Sequence, residues 1–212
     1  MNLILLGAPG AGKGTQGELI SQRLNIPTIS TGNMLREAMA NESELGKQIK
    51  QYMDEGSLVP DEVVMSLVAQ RVSESDCANG FILDGVPRTL PQAEALDAKG
   101  VRIDHVVSLE VDDDAIAGRM AGRRVCAKCG ASYHIVNNPP KTEGVCDHCG
   151  GQLTTRADDD PETVKHRLEV YHASTEVLKD YYQKQGKLRK VYGSQTIEDT
   201  HRDILKAIGA QV

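Results

Sequence analysis

The chain has 212 residues, 40% hydrophobic and 25% charged, with aromatics at 3% and no Trp, the composition of a globular protein with an aliphatic core and no need of a second independent domain. Twenty-four basic against thirty acidic residues leave a net charge of −6, which excludes a broad surface for nucleic acid or an anionic membrane unless basic side chains cluster locally. No stretch approaches the roughly 20 apolar residues of a membrane span, and the five cysteines, two C-x-x-C pairs plus Cys77, point to metal binding in a reducing, cytoplasmic compartment.

Residues 2–6, NLILL, are apolar and end in a Gly/Pro turn, so they read as a buried strand feeding a helix from about Lys13 to Leu24. IPTIS is a second strand, and Thr31 is placed to cap a helix beginning GNMLREAM. ELGKQIKQYMDEG and PDEVVMSLVAQRV follow as helices, the second opened by Pro and two acids. GFILDG is a buried strand ending on Asp84, LPQAEALDAKG its helix, HVVSLEV another strand, and DDAIAGRMAG its helix. Apolar strands alternating with helices are the signature of an α/β fold with a parallel sheet. Residues 122–158, rich in Gly, Cys, Pro and Asn, break the pattern and read as an inserted β-type miniature domain. PETVKHRLEVYHASTEVLKDYYQKQG is one long helix, LRKVYG the last strand, and IEDTHRDILKAIG the closing helix.

Between the first strand and its helix lies GAPGAGKGT, residues 7–15. It fits the phosphate-loop pattern G-x-x-x-x-G-K-[ST] up to Lys13, but Gly14 stands at the hydroxyl position and Thr15 comes one place late. Backbone N–H groups in such a loop cradle phosphate oxygens, and the lysine adds a mobile positive charge. Asp84, at a strand end, is the candidate for orienting magnesium or its waters. Arg36, Arg88, Arg119, Arg123, Arg124, Arg156 and Arg167 fall at loops or helix ends, and planar guanidinium groups suit a reaction that brings two polyanions together.

Cys126 and Cys129, then sixteen residues, then Cys146 and Cys149 fit the spacing of a four-thiolate zinc site. Four protein ligands leave no open position, so the metal is structural, and iron or cobalt suits the same thiolates. Two disulfides or unliganded thiols are the alternative. His134 and His148 are spare ligands by type, but four sulfurs already complete a tetrahedron. Residues 121–160 carry five basic and five acidic side chains, a poor surface for tracking nucleic acid.

GAPGAGKGT, ISTGNMLR, LVPDEVV, GFILDGVPRTLPQAE, GRRVCAKCGASYH and TRADDDPETVKHRLEVYH together resemble, in order and over nearly the whole chain, the adenylate kinase family in its bacterial form with a long, metal-bearing lid. The resemblance implies a three-layer phosphate-loop core of residues 1–29, 60–121 and 160–212, a helical AMP-binding insertion at 30–59, and a small β-type zinc-bearing lid at 122–159. It implies a monomer that converts ATP and AMP reversibly to two ADP with Mg2+, without partners in nucleic acid or membrane. By position it assigns the ATP phosphates to Gly10, Ala11, Gly12, Lys13, Gly14 and Thr15, the ATP adenine to Arg119, and the border of ATP to Ser132, Tyr133 and Gln195. AMP falls to Thr31, Arg36, the backbone at Ser57, Leu58 and Val59, the turn Gly85, Val86, Pro87 and Arg88, and Gln92, whose amide offers a donor and an acceptor to an adenine edge. Lys13, Arg88, Arg123, Arg156 and Arg167 are implied as the catalytic clamp on the phosphates, with Asp84 at the magnesium.

Two positions depart from the family's pattern. Asn33 replaces a common Asp and removes a charge near the phosphates; Val86 replaces a larger, usually aromatic residue, shrinks a wall of the AMP pocket, and so implies weaker AMP binding than Phe would give. The nearest alternative is a kinase for UMP or CMP, differing at pocket residues such as Thr31 and Gln92. A phosphate-loop ATPase or switch is the alternative of another class, and it calls for the hydroxyl that Gly14 lacks.

Overall fold

The computed structural model describes residues 1–40 and 43–211; Asn41 and Glu42, inside the 30–59 segment, and Val212 lie outside the described residues. Five parallel strands, β1 (Asn2–Gly7), β2 (Thr28–Ser30), β3 (Phe81–Asp84), β4 (His105–Glu110) and β8 (Leu188–Tyr192), form a sheet in the order β2-β3-β1-β4-β8. Alternation along β1 sends Ile4 and Leu6 to one apolar cluster and Leu3 and Leu5 to another. On the first face lie α2 (Thr31–Ala40), α3 (Glu44–Asp54), α4 (Asp61–Val72), α5 (Leu90–Ala98) and α8 (Leu178–Lys184), through residues such as Leu35, Ile49, Val68, Leu96 and Tyr182. On the other lie α1 (Lys13–Leu24) and α9 (Ile197–Ala207), through Ile20, Ile204 and Leu205. Both faces being covered is why these strands read as unbroken apolar runs. The result is a three-layer α/β core.

After α6 (Asp113–Gly122), the chain leaves the sheet for an antiparallel three-stranded unit, β5 (Arg123–Cys126), β6 (Ser132–His134) and β7 (Leu153–Thr154), ordered β6-β5-β7. Its own cluster contains only Cys126, Tyr133, Cys146 and Leu153 as buried members, too little apolar surface to hold a miniature domain by itself.

Two local expectations change. The long helix from Pro161 is interrupted: α7 (Pro161–Val170) passes into a π turn at Tyr171–Thr175 before α8. Glu176 N bonds to Tyr171 O at 3.0 Å, and the widened turn sets Thr175 Oγ1 to donate to Arg88 O at 2.7 Å, a contact no helix-propensity argument foresees. Thr31 is the first residue of α2, and its hydroxyl donates to Asp84 O at 3.3 Å. Among the described residues, no helix is long and apolar enough to cross a membrane.

Candidate active site

β1 and β3 run side by side with Leu5 opposite Asp84, and β2 pairs Ser30 with Asp84, so the phosphate loop and the aspartate emerge together at the carboxyl edge of the sheet. Ligands of open α/β sheets bind at that edge. The loop hugs its neighbours: Gly10 has φ +78°, and a Cβ there would lie 2.8 Å from Met120 Sδ, so only glycine fits. Gly12, also left-handed, precedes α1 without a side-chain cap, which leaves the first N–H groups of that helix for an anion. Lys13 Nζ donates to the carbonyls of Gly7 at 2.7 Å and Ala8 at 2.8 Å. Burial pulls this ammonium down to about 8, opposed by Asp84 and reinforced by Arg88, Arg167 and Arg123.

The loop opens on a cleft of about 550 Å³. Of the residues expected from the sequence, Gly10, Lys13, Gly14, Thr31, Arg36, Ser57, Leu58, Val59, Asp84, Gly85, Arg88, Gln92, Arg123, Ser132, Arg156 and Arg167 line it. Ala11, Gly12 and Thr15 belong to the loop and first helical turn behind that surface, and Pro87 borders a smaller adjoining pocket. Gly85, at φ +83°, packs so tightly that a Cβ would come within 2.8 Å of Thr31 Oγ1. Arg88 Nε donates to Gly85 O at 2.8 Å, and Arg88 N donates to Gln92 Oε1 at 2.8 Å. Gln92 Nε2 donates to Asp61 Oδ1 at 2.7 Å, so one donor and one acceptor of that amide are held by the protein while its second N–H and lone pair stay available.

Arg36, Arg88, Arg156 and Arg167 are all shifted downward, first by burial, with neighbouring arginines adding to the shift of Arg36, Arg156 and Arg167. Guanidinium groups stay charged, so the shifts express first the cost of burying these charges, with mutual repulsion added at Arg36, Arg156 and Arg167. Arg156 Nε is buried and has no partner among the described residues. Two acids absorb part of the charge: Asp159 takes a bidentate bond from Arg123, with Nε at 2.8 Å, and Asp158 sits 2.9 Å from Arg167. Neither was singled out from sequence, though both stand in the run TRADDD directly after Arg156. Asp61, which aligns Gln92, and Thr175, which holds Arg88, left no local signal.

Four further expected residues do not line this cleft. Val86 is fully buried in the sheet's apolar cluster and does not line the cleft. Tyr133 points its ring into the small β unit, where its hydroxyl meets Asp147 N and Cys146 Sγ, away from the cleft that Ser132 borders. Arg119 ties the phosphate loop to the segment after β8, donating to Ala11 O at 3.4 Å and to Gly193 O. Gln195 is exposed on that same segment and donates to Asp203 at 3.1 Å, outside the cleft.

The four cysteine sulfurs lie within 4.8 Å of one another, with Cys126–Cys149 at 3.5 Å and Cys129–Cys146 at 3.6 Å. A tetrahedral zinc with Zn–S near 2.3 Å needs sulfur edges of roughly 3.8 Å, so the set fits that ion. Backbone N–H groups of Cys129 and Lys128 lower the Cys126 thiol, favouring the thiolate that binds metal. This unit also reaches the cleft's far wall: His148 Nε2 is 3.3 Å from Glu18 of α1, and Gly130 lies against Asn33, whose Oδ1 accepts from Arg36 at 3.0 Å.

Comparison with known proteins agrees with this geometry. A family model described as adenylate kinase matches residues 5–187. Proteins named adenylate kinase from Caldicellulosiruptor bescii (58% identical, covering 100% of both chains), Carboxydothermus hydrogenoformans (52%, covering 98% of this chain and 99% of that one) and Bacillus subtilis (51%, covering 99% and 98%) are similar over their full length. A phosphate loop, an arginine-lined cleft and end-to-end similarity of this degree lead to one assignment: the chain belongs to the adenylate kinase family.

Proposed function

We propose that the chain transfers the terminal phosphoryl group of ATP to AMP, reversibly, giving two ADP. The observation that carries this reading is the crowding of Lys13, Arg36, Arg88, Arg123, Arg156 and Arg167 on one cleft of a protein whose net charge is −6. Such a cluster is costly until polyanions fill it, and two facing nucleotides supply the charge that it lacks. The phosphate loop from Gly10 to Thr15 takes the ATP phosphates. Thr31, Arg36, Ser57–Val59, Gly85, Arg88 and Gln92 take AMP, with the second N–H and lone pair of Gln92 left to read adenine.

The attacking atom is a phosphate oxygen of AMP, already anionic at neutral pH, so no side chain needs to remove a proton. Lys13 and the arginines hold donor and acceptor in line and offset the charge that spreads over the transferred group. Magnesium bound to ATP supplies further neutralisation, and Asp84, beside the first turn of α1, is the carboxylate that would hold its waters. Gly14 supplies no hydroxyl ligand. Residues 30–59 act as the AMP segment and 122–159 as a lid closing over both substrates, which keeps water from the phosphoryl group. The contacts of Gly130 with Asn33 and His148 with Glu18 support such closure. Cys126, Cys129, Cys146 and Cys149 hold a structural zinc. We place the protein in the cytoplasm as a monomer, without nucleic-acid or membrane partners.

The test is to mix purified protein with ATP, Mg2+ and each nucleoside monophosphate and to follow ADP. AMP is expected to be the fastest acceptor and ATP alone to persist. Preference for UMP or CMP would favour the other monophosphate kinases, and rapid ATP loss without an acceptor would favour an ATPase.

A further inference from the structure

Tyr133 sits in β6 between Ser132, which borders the cleft, and His134. Alternation along the strand turns its ring the other way, into the interior formed with Cys126, Cys146 and Leu153, where it is 6% exposed. Its hydroxyl has two neighbours. The oxygen accepts the backbone N–H of Asp147 at 2.8 Å, and Cys146 Sγ lies 3.5 Å away.

Proton accounting assigns these contacts. A backbone N–H only donates, so the bond to Asp147 uses a lone pair of the phenol and leaves its single proton unspent. Burial removes water as an acceptor, and a buried hydroxyl proton without a partner is costly. The sulfur of Cys146 is the acceptor in reach, and a metal-bound thiolate accepts far better than a neutral thiol. We propose that Tyr133 is a positioning residue of the four-sulfur site: its O–H donates to Cys146 while its oxygen fixes Asp147, so one phenol orients a ligand and the turn that carries it.

This inference rests on the four-thiolate zinc reading and adds to it a residue that is not a ligand. It also gives the metal a route to the substrate cleft, since β6 carries Ser132 on one face and the hydroxyl that meets the cluster on the other. Partners that orient a metal ligand change metal affinity by roughly 10- to 100-fold when removed.

The test uses the full chain, reconstituted with zinc. Tyr133→Phe keeps the ring and its packing and deletes only the hydroxyl; Tyr181→Phe, which removes a hydroxyl bonded to Asp97 on the surface beside α5, far in sequence from the cysteines, is the control. Zinc content is measured first, then the rate of zinc transfer to excess chromogenic chelator, then the sulfur-to-metal absorption of the cobalt(II) form. The expected result is one zinc per chain throughout, release about tenfold faster for Tyr133→Phe than for wild type, a shifted cobalt band in that variant, and wild-type behaviour in Tyr181→Phe. Cys146→His leaves a zinc-competent Cys3His set without the accepting sulfur, and in that background Tyr133→Phe should have little further effect. Wild-type release and spectrum in Tyr133→Phe, or an equal effect in both backgrounds, would overturn the proposal. A wild-type chain that binds no zinc would instead overturn the reading beneath it.

Discussion

Burial holds the Lys13 ammonium near 8, below its ordinary value of 10.5, with Asp84 opposing and three arginines assisting. For a base depressed on folding, the unfolded chain binds more protons between about pH 8 and 10.5, so this group makes the ligand-free protein more stable as pH rises through that window. Phosphates reverse the sign by favouring the charged form. Nucleotide binding at pH 8.5 should therefore take up a proton, visible by calorimetry as a buffer-dependent heat that Lys13→Met abolishes; heats independent of buffer in the wild type would count against it. Loss of Lys13 should also lower kcat by about 10²–10³-fold, the usual scale for a preorganised donor at developing charge. Val86 carries a prediction of its own. The sequence suggests that Phe at this position tightens AMP binding, yet the side chain is fully buried in the core, so Val86→Phe should cost about 1–3 kcal/mol by overpacking, read as a fall in Tm. The phosphate loop was legible because its spacing is local. The directions of Val86 and Tyr133 were not, because they depend on what packs beside them.

Most strands and helices were also legible from period and punctuation: α1 and α6 run over the residues expected, and the sheet follows from apolar strands separated by helices. The π turn at Tyr171–Thr175 was invisible, since nothing local in the sequence marks it and the bond it allows, from Thr175 to Arg88, is tertiary. The short turn Ala157–Asp159 before α7 carries a prediction of its own. The Asp159 side chain is 6% exposed where it pairs with Arg123, and Asp159→Asn leaves that guanidinium without its charge partner. Stability of the nucleotide-free protein should fall by roughly 3 kcal/mol, with saturating ATP analogue recovering more Tm than it adds to the wild type; equal ligand shifts in both proteins would contradict the pairing. The β unit makes a separate prediction. With only four buried members in its cluster, it should loosen under chelation while the parallel sheet stays folded, seen as amide exchange rising within 122–159 and not in β1, β3 or β4.

Across the whole molecule, a chain of net charge −6 gathers Lys13, Arg36, Arg88, Arg123, Arg156 and Arg167 on one cleft at the carboxyl edge of the sheet, where Gly130 of the β unit meets Asn33 of α2. Sequence order brought those cations within reach of recognition, but only the fold shows that Asp158 and Asp159 partly neutralise them and that Arg119 ties the phosphate loop to the segment after β8. On the proposed mechanism, this cleft passes a phosphoryl group to a nucleotide and withholds it from water. This is tested most directly by incubating the protein with Mg2+, AMP and ATP labelled at the terminal phosphate, and following the label over the first turnovers. Label should appear in the terminal phosphate of the ADP formed from AMP, with inorganic phosphate at background. Label released as inorganic phosphate, at a rate indifferent to AMP, would contradict it.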